Sequence, residues 1–210
     1  MKTPRTKLRR VPSRGAHDRE TIDAILDEAL IAHLAFVRDG HPAVIPTLLA
    51  RVGDEIYLHG SAASRALRGL ASGLEVCLEV TLVDGIVLAR SAFHHSMNYR
   101  SVVLYGTARQ VLEPAEKERA LEVFTERLVP GRWADVRWPT AKELKATAVL
   151  ALPIAEGSAK VRTGPPVDDD EDYALDAWAG VVPLRREALP PEPDPRLRAG
   201  IALPQYLHAF

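Results

Sequence analysis

The chain has 210 residues, of which 47% are hydrophobic and 26% charged, and its formal net charge at pH 7 is −1. This composition is typical of a soluble globular protein with one large domain, and the charge gives no reason to expect nucleic acid or an anionic membrane as a partner. No secretory signal and no apolar run of roughly 20 residues is present, and the single cysteine cannot form an intrachain disulfide, so we expect a cytoplasmic protein.

Composition divides the chain into three parts. Residues 1–17 are basic and contain little to bury, which predicts a flexible, extended or poorly ordered arm. Residues 18–189 carry the periodic elements of one folded domain. Residues 190–210 form a tail that is too rich in proline for strand pairing.

The predicted elements describe a mainly β protein with flanking helices. The first helix is expected from Asp18 to about Ala29, a short one after Ser64, and two more from Pro114 and from Thr140. Strands are expected at 31–38, 42–50, 55–59, 75–83, 86–89, 99–112, 146–154 and 160–163. Asp-Gly pairs at 39–40 and 84–85 predict hairpin turns. So many short strands with local turns indicate an antiparallel sheet, and closure into a barrel would remove its edges.

One stretch, residues 55–70, combines features that suit an anionic ligand. A predicted strand ends at His59, and small polar residues lead into a helix that either Ser61 or Ser64 can cap. Free N–H groups at a helix N-terminus, two hydroxyls and Arg65 are chemically suited to hold a phosphate. An ordinary capped turn is the alternative interpretation.

The sequence lacks the motifs of several common enzyme classes. The sequence contains no Gly-x-Ser-x-Gly, Walker A or Gly-x-Gly-x-x-Gly pattern, which argues against a serine hydrolase, a P-loop enzyme and a Rossmann dehydrogenase. His94 and His95 are adjacent, so in an extended segment their rings point to opposite sides, and no metal site is predicted. Cys77 lies in a predicted strand, where it is expected to be a buried, poor nucleophile.

Three segments together resemble a known family. They read Ile-Tyr-Leu-His-Gly-Ser-Ala-Ala-Ser-Arg at 56–65, Ser-Met-Asn-Tyr-Arg-Ser-Val-Val-Leu-Tyr-Gly at 96–106 and Trp-Ala-Gly-Val-Val-Pro-Leu at 178–184. Their order and spacing resemble the flavin-binding split-barrel family related to pyridoxamine 5′-phosphate oxidase, and most closely its 5-nitroimidazole-resistance reductase branch. The resemblance covers most of residues 18–185 and implies an antiparallel split β-barrel, a homodimer and FMN in a groove between the subunits.

The resemblance also implies a set of cofactor-binding residues. The matching positions are Pro46, Thr47, Leu48, Leu49, His59, Gly60, Ser61, Ser64, Arg65, Arg100, Ser101 and Trp178. Ser61, Ser64 and Arg65 match the phosphate-binding turn, and residues 46–49 match the strand that borders the flavin ring. Arg100 and Ser101 match positions that reach toward the flavin, across the dimer interface. Trp178 either packs over the cofactor groove or is a core aromatic residue.

The function implied by the resemblance is an FMN-dependent oxidoreductase that passes electrons from a reduced nicotinamide to a small aromatic or nitro compound. His59 would be its catalytic residue, lining the acceptor pocket and supplying a proton near neutral pH; alternatively it is a strand-end histidine bonded to backbone. Three other functions stay open. They are a non-catalytic flavin or haem carrier, a pyridoxamine 5′-phosphate oxidase-like enzyme whose arginine–histidine substrate motif has no match here, and a ligand-free dimer whose junction at 59–65 is plugged by side chains.

Overall fold

A computed structural model describes residues 1–209. The helices are α1 (Arg19–Glu28), α2 (Arg65–Ala71), α3 (Pro114–Leu128) and α4 (Ala141–Ala146). The strands are β1 (Gly15–Ala16), β2 (Ile31–Arg38), β3 (His41–Leu48), β4 (Ala50–Val52), β5 (Glu55–Ser61), β6 (Glu75–Leu88), β7 (Ser96–Thr107), β8 (Arg109–Gln110), β9 (Thr147–Pro153), β10 (Glu156–Arg162) and β11 (Gly180–Pro183). Among these helices, none combines the length and the apolar character that a bilayer crossing requires.

The strands form two antiparallel sheets. The seven-stranded sheet has the order β1-β10-β7-β6-β2-β3, with β11 paired to β6, and the four-stranded sheet has the order β4-β5-β9-β8. Within residues 1–209 the hydrogen-bonded ladders do not close into a barrel, so the prediction of a mainly antiparallel β fold is confirmed while barrel closure is not observed. The split between the sheets falls where the predicted strand 42–50 divides into β3 and β4.

The main hydrophobic core lies between the two sheets and under α1. Inward-facing residues of the large sheet, such as Leu34 and Leu104, share one cluster with Ile56 and Leu152 of the small sheet and with Ile22 of α1. Alternation of buried and exposed residues along β2 directs every second side chain into this core. The two-residue period of β2 therefore determines which of its faces packs against the core.

Local signals in the sequence specify most of the helix ends. The carboxylate of Asp18 accepts from the Thr21 N–H at 2.8 Å and caps α1. Thr140 and Glu143 form the predicted capping box at the start of α4. The predicted hairpin at Asp39-Gly40 is also confirmed, with φ of 52° and 76° at the two residues.

The prediction of a hairpin turn at Asp84-Gly85 is wrong. β6 runs unbroken through Asp84 and Gly85, with a register shift between Val83 and Gly85 against β7. Gly85 lies under β11, so that a Cβ there would come within 3.0 Å of a Val181 methyl carbon and 3.1 Å of the Val182 carbonyl oxygen. The glycine thus permits close approach of a neighbouring strand rather than a turn.

The basic segment 1–17 lies against the large sheet. Arg5 pairs with Glu75 and Glu156, and its guanidinium lies 4.4 Å from the centre of the Tyr105 ring. Thr6 is buried, and β1 adds an edge strand to β10. The ion pairs of Arg5 with these two glutamates therefore hold the arm against the large sheet.

One face of the large sheet points away from the core, and we call it the open face. It carries the outward side chains of β2, β3, β6 and β7, among them Ile31, Val37, Val44, Pro46, Cys77, Val83 and Tyr105. Val37 is 59% exposed and Val44 62% exposed. The same face also carries the paired side chains of His33 and Glu79, 3.3 Å apart. Exposed aliphatic side chains grouped on one face are typical of a surface that meets another protein.

Candidate functional site

The predicted site centres on the junction between β5 and α2. β5 is held between β4 and β9, and the chain leaves it through Gly60 and Ser61. A Cβ at Gly60 would lie 2.8 Å from a Leu67 methyl carbon, so the glycine lets α2 pack directly over the strand end. This close packing fixes where the first turn of α2 lies relative to His59.

The junction presents several hydrogen-bond donors. The Ser64 hydroxyl caps α2 by accepting from the Leu67 N–H at 3.4 Å, and the Ser61 hydroxyl accepts from the Ala63 N–H at 3.2 Å. Within residues 1–209 the N–H groups of Arg65 and Ala66 have no acceptor. Two open N–H groups, two hydroxyl protons and a nearby guanidinium are groups that can bind a phosphate.

Arg65 itself is exposed. Its guanidinium makes no ion pair or hydrogen bond with any residue of the described chain. Its charge is therefore available to an anion from outside this chain's own fold.

A second feature is an apolar cavity of about 380 Å³ between β5 and α3, which His59 helps to line. The His59 ring lies 4.3 Å from the Phe124 ring, centre to centre, at an angle of 54°. Besides these two rings, the cavity is lined by Leu48, Leu121, Thr125, Leu128, Val129, Arg132, Trp133 and Pro139. The only permanently charged group at this lining is the guanidinium of Arg132, which donates to the Tyr206 hydroxyl at 3.0 Å.

The electrostatics of His59 follow from its surroundings. Its Nδ1 is buried without a hydrogen-bond partner, and burial lowers the pKa of the imidazole. A neutral imidazole is a metal ligand or a proton acceptor more readily than a proton donor at pH 7. The alternative of a ring bonded to backbone is not observed within residues 1–209, because the imidazole makes no hydrogen bond there.

The segment 46–49 lies beside this cavity and contributes unequally to it. Leu48 lines the cavity with His59, whereas Leu49 is buried in the main core. Pro46 is exposed on the open face, and the Thr47 hydroxyl donates to the Leu48 carbonyl at 3.2 Å. The structure thus brings Leu48 and His59 together and turns Pro46 toward the sheet surface.

Arg100 and Ser101 of β7 make contacts within the chain. The Arg100 guanidinium donates to Asp84 at 2.7 and 2.9 Å and to Glu28 at 2.8 Å, which ties β7 to β6 and α1. Ser101 donates to the Lys160 carbonyl at 3.4 Å across the β7–β10 ladder. In this chain Arg100 is therefore a cross-link between elements.

Trp178 is 69% exposed, which excludes the interpretation as a core aromatic residue. Its ring lies over Gly180 at the start of β11, where a Cβ would come within 2.8 Å of the indole. The indole is available for contact with another molecule.

Three ligand-type side chains also meet near the acidic loop. One ligand atom each from His94, Asp169 and Asp172 lies within 4.8 Å of the other two. His94 Nε2 is 3.3 Å from Asp169, so this contact is a histidine–carboxylate pair on the surface. Exposed acidic groups at such spacing are common in proteins without a metal.

Sequence reasoning missed the residues that α3 and the following turn supply to the His59 cavity. Phe124 and Leu121 lie on the apolar face of α3, and an apolar helix face in a sequence indicates burial without indicating which element covers it. Arg132 and Trp133 follow the helix in a turn with no recognisable motif. Only the fold brings these side chains to His59.

Comparisons with known proteins place the chain among its relatives. Residues 18–161 match the family model described as pyridoxamine 5′-phosphate oxidase. The flavocytochrome Anf3 from Azotobacter vinelandii is 46% identical, with a TM-score of 0.94 over 99% of this chain and 97% of that one. A FAD and haem binding protein from Mycobacterium smegmatis is 43% identical, with a TM-score of 0.89 over 93% of this chain and 96% of that one.

The predicted branch has weaker support. A proposed 5-nitroimidazole antibiotic resistance protein from Bacteroides thetaiotaomicron is 21% identical, with a TM-score of 0.59 over 70% of this chain and 86% of that one, which shows a shared fold only. A search of curated proteins found no match. The family match spans more than half of the sequence and includes the β5–α2 junction. The chain belongs to the pyridoxamine 5′-phosphate oxidase family.

Proposed function

We propose that this protein is a dimeric flavocytochrome, a redox protein that binds one flavin and one haem per chain. The observation that carries this proposal is the pairing of two different features at one strand end. β5 ends in a turn with open phosphate-binding donors, and its His59 faces an apolar cavity with a neutral imidazole. Similarity over nearly the full length to a flavocytochrome and to a FAD and haem binding protein supports the same pair of cofactors.

The flavin phosphate is proposed to bind at the β5–α2 junction. Ser61 and Ser64 donate their hydroxyl protons, the N–H groups of Arg65 and Ala66 point to the same turn, and the Arg65 guanidinium supplies positive charge. We propose FAD rather than the FMN that the family resemblance implies, because the relative at 43% identity is named for FAD. Flavin and haem, when bound, supply hydride and one-electron chemistry.

The haem is proposed to bind in the His59 cavity. A neutral imidazole in an apolar cavity would be suited to hold haem iron, and contact with the Phe124 ring restricts the orientation of the imidazole. Arg132 at the same cavity can bind a propionate through its guanidinium. Haem-ligating histidines usually donate the second ring N–H to a partner, and Nδ1 of His59 has none here, so we expect its donor strength to be modest.

The open face is proposed as the homodimer interface. Its exposed aliphatic side chains, including Val37 and Val44, would become buried when a second copy packs against the sheet. Pro46, one of the residues implied by the family resemblance, lies on this face, so a partner would approach the flavin-binding region. The role of Trp178 in covering a cofactor stays a prediction.

The chain's own residues contribute binding and orientation. Partial burial beside the apolar cavity lowers the pKa of the imidazole, which favours the neutral form that can bind a metal. The Gly60 contact with Leu67 fixes α2 and its donors relative to His59. Reduction by a nicotinamide, with a small organic compound as acceptor, stays part of the proposal and is tested by multiple turnover.

The test uses the protein as purified. We expect absorbance in both the flavin and the haem Soret regions, and mass spectrometry of the ligands released on denaturation should detect FAD and haem at one each per chain. A colourless protein that takes up neither cofactor in a titration would contradict the proposal. Consumption of a reduced nicotinamide over many turnovers with an added acceptor would separate an oxidoreductase from a carrier.

A further inference from the structure

A second cavity has a volume of about 620 Å³, and none of the residues that line it belongs to the β5–α2 junction. It is bounded by the basic arm, the 3-10 helix Ala92–His94 and the end of β10. The side chains that characterise it are Arg10, Arg14, Phe93, Tyr99, Lys160 and Arg162. Its volume is in the range of cavities that hold small molecules.

The lining is strongly cationic and contains no carboxylate. Within residues 1–209 none of Arg10, Arg14, Lys160 and Arg162 takes part in an ion pair. Of the acidic groups in the adjacent loop, Asp168 pairs with Arg90, and Asp169 pairs with His94, which itself lines the cavity. Four cationic side chains around one cavity therefore form no ion pair within the described chain, and the carboxylate that borders the cavity contacts His94 instead.

Arg162 is the strongest sign of an anion site, because it is only 6% exposed. Its guanidinium donates to the Asn98 side-chain oxygen and to the carbonyls of Gly164 and Pro165, all of which are neutral. Its Nε is buried without a partner. Burial and the nearby Arg14 both lower the pKa of this guanidinium. A buried cation with no opposite charge is destabilising, and a bound anion would offset that cost.

An exposed aromatic ring completes the cavity. Phe93 is 89% exposed on the 3-10 helix, with its ring 5.2 Å from the His94 ring in an edge-on arrangement. Tyr99 lies on the β7 side of the same cavity. Aromatic rings beside a cationic groove are suited to stack a planar base while the cations bind its phosphates.

We propose that this cavity binds a nucleoside diphosphate group, with Arg14, Lys160 and Arg162 on the phosphates and Phe93 against the base. Two sources could supply that group: a free nucleotide, or the adenosine diphosphate half of a bound FAD. Only the second source rests on the proposed function. The charge of the cavity and the burial of Arg162 support the site in either case.

The experiment measures ADP binding to the protein as purified, by calorimetry at low and at physiological salt. Arg14→Ala/Lys160→Ala is the test variant, and Arg9→Ala, which removes an exposed arm charge outside the lining, is the matched control. If the source is a free nucleotide, ADP binds saturably and the test variant weakens it by roughly tenfold or more, while the control does not. Phe93→Ala should then weaken ADP binding but leave inorganic pyrophosphate binding unchanged.

If the source is FAD, ADP does not bind to the purified protein, and the test variant loses FAD by a similar factor without losing affinity for FMN. ADP binding that the test variant leaves unchanged, or no ADP binding together with unchanged FAD retention, would overturn the site. A protein that purifies without flavin would contradict the proposed function, and ADP binding would still decide this inference.

Discussion

His59 differs from the other histidines because its half-buried imidazole packs against Phe124 with a buried Nδ1 that has no hydrogen-bond partner within residues 1–209. If the imidazole holds haem iron, His59→Ala removes that ligand and should lower haem affinity by roughly tenfold or more while leaving flavin bound. The measurement is the ratio of Soret to flavin absorbance in purified protein. His41→Ala, at an exposed position on β3, is the control. Full haem retention in His59→Ala would exclude the ligand assignment.

Arg100 illustrates a residue whose contacts are internal to the chain. Arg100→Ala leaves the Asp84 and Glu28 carboxylates without their shared partner, and we expect the free energy of unfolding in urea to fall by roughly 1–2 kcal/mol, allowing for solvent screening of this partly exposed cluster. Arg137→Ala, which breaks the more exposed pair with Glu143, should cost much less.

The difference in the free energy of unfolding between wild type and Arg100→Ala should depend on pH. The Arg100 hydrogen bond lowers the pKa of the Glu28 carboxyl below its ordinary value of 4.5. Its stabilisation is therefore fully present above pH 4.5 and is lost as pH falls through the lower pKa of the folded state. The difference between wild type and Arg100→Ala should shrink over that acidic range. A difference that grows on acidification would contradict the pairing.

At the scale of elements, the β5–α2 junction tests the flavin proposal directly. Arg65→Ala removes an exposed guanidinium that makes no contact with the described chain, so the fold should be unaffected while the dissociation constant for flavin rises by roughly tenfold. Arg68→Ala, one turn along the same helix, is the matched control. Fluorescence of released flavin during dialysis measures retention. Equal retention in both variants would separate Arg65 from the cofactor.

The close approach of β11 to β6 gives a prediction about packing. Gly85→Ala places a methyl group against Val181 and the Val182 carbonyl, and we expect a loss of roughly 1–3 kcal/mol in the free energy of unfolding. The double variant Gly85→Ala/Val181→Ala should recover part of that loss, because it removes one of the two obstacles. Thermal unfolding of the three proteins checks this. An unchanged Gly85→Ala protein would mean that β11 moves freely.

These elements also show what could be predicted from the sequence and what could not. The caps at Asp18 and Thr140 and the Asp39-Gly40 turn depend on residues within a few positions, so local patterns predict them. The prediction of a turn at Gly85 failed because the role of this glycine depends on a strand almost one hundred residues later in the chain. A pocket beside His59 was expected, but the residues that α3 supplies to it were missed for the same physical reason, since α3 reaches the cavity only through tertiary packing.

At the scale of the whole molecule, the open face predicts association. Val44→Glu places a charge among exposed aliphatic side chains on β3, the edge strand of the proposed interface, and should convert a dimer into a monomer in sedimentation velocity. Leu112→Glu, at an exposed position outside that face, should remain dimeric. A wild-type protein that sediments as a monomer, or a Val44→Glu protein that remains a dimer, would exclude this interface.

The sequence contains one cysteine, and its position on the open face has a practical consequence. Cys77 is half-buried there, directly opposite Ala35 on one side and Tyr105 on the other, and burial raises the pKa of its thiol. Reaction with a maleimide reagent therefore reports on this surface alone, without background from any second thiol. Modification rates followed over a dilution series would convert a single native side chain into a sensor of subunit exchange, with no label introduced by mutation.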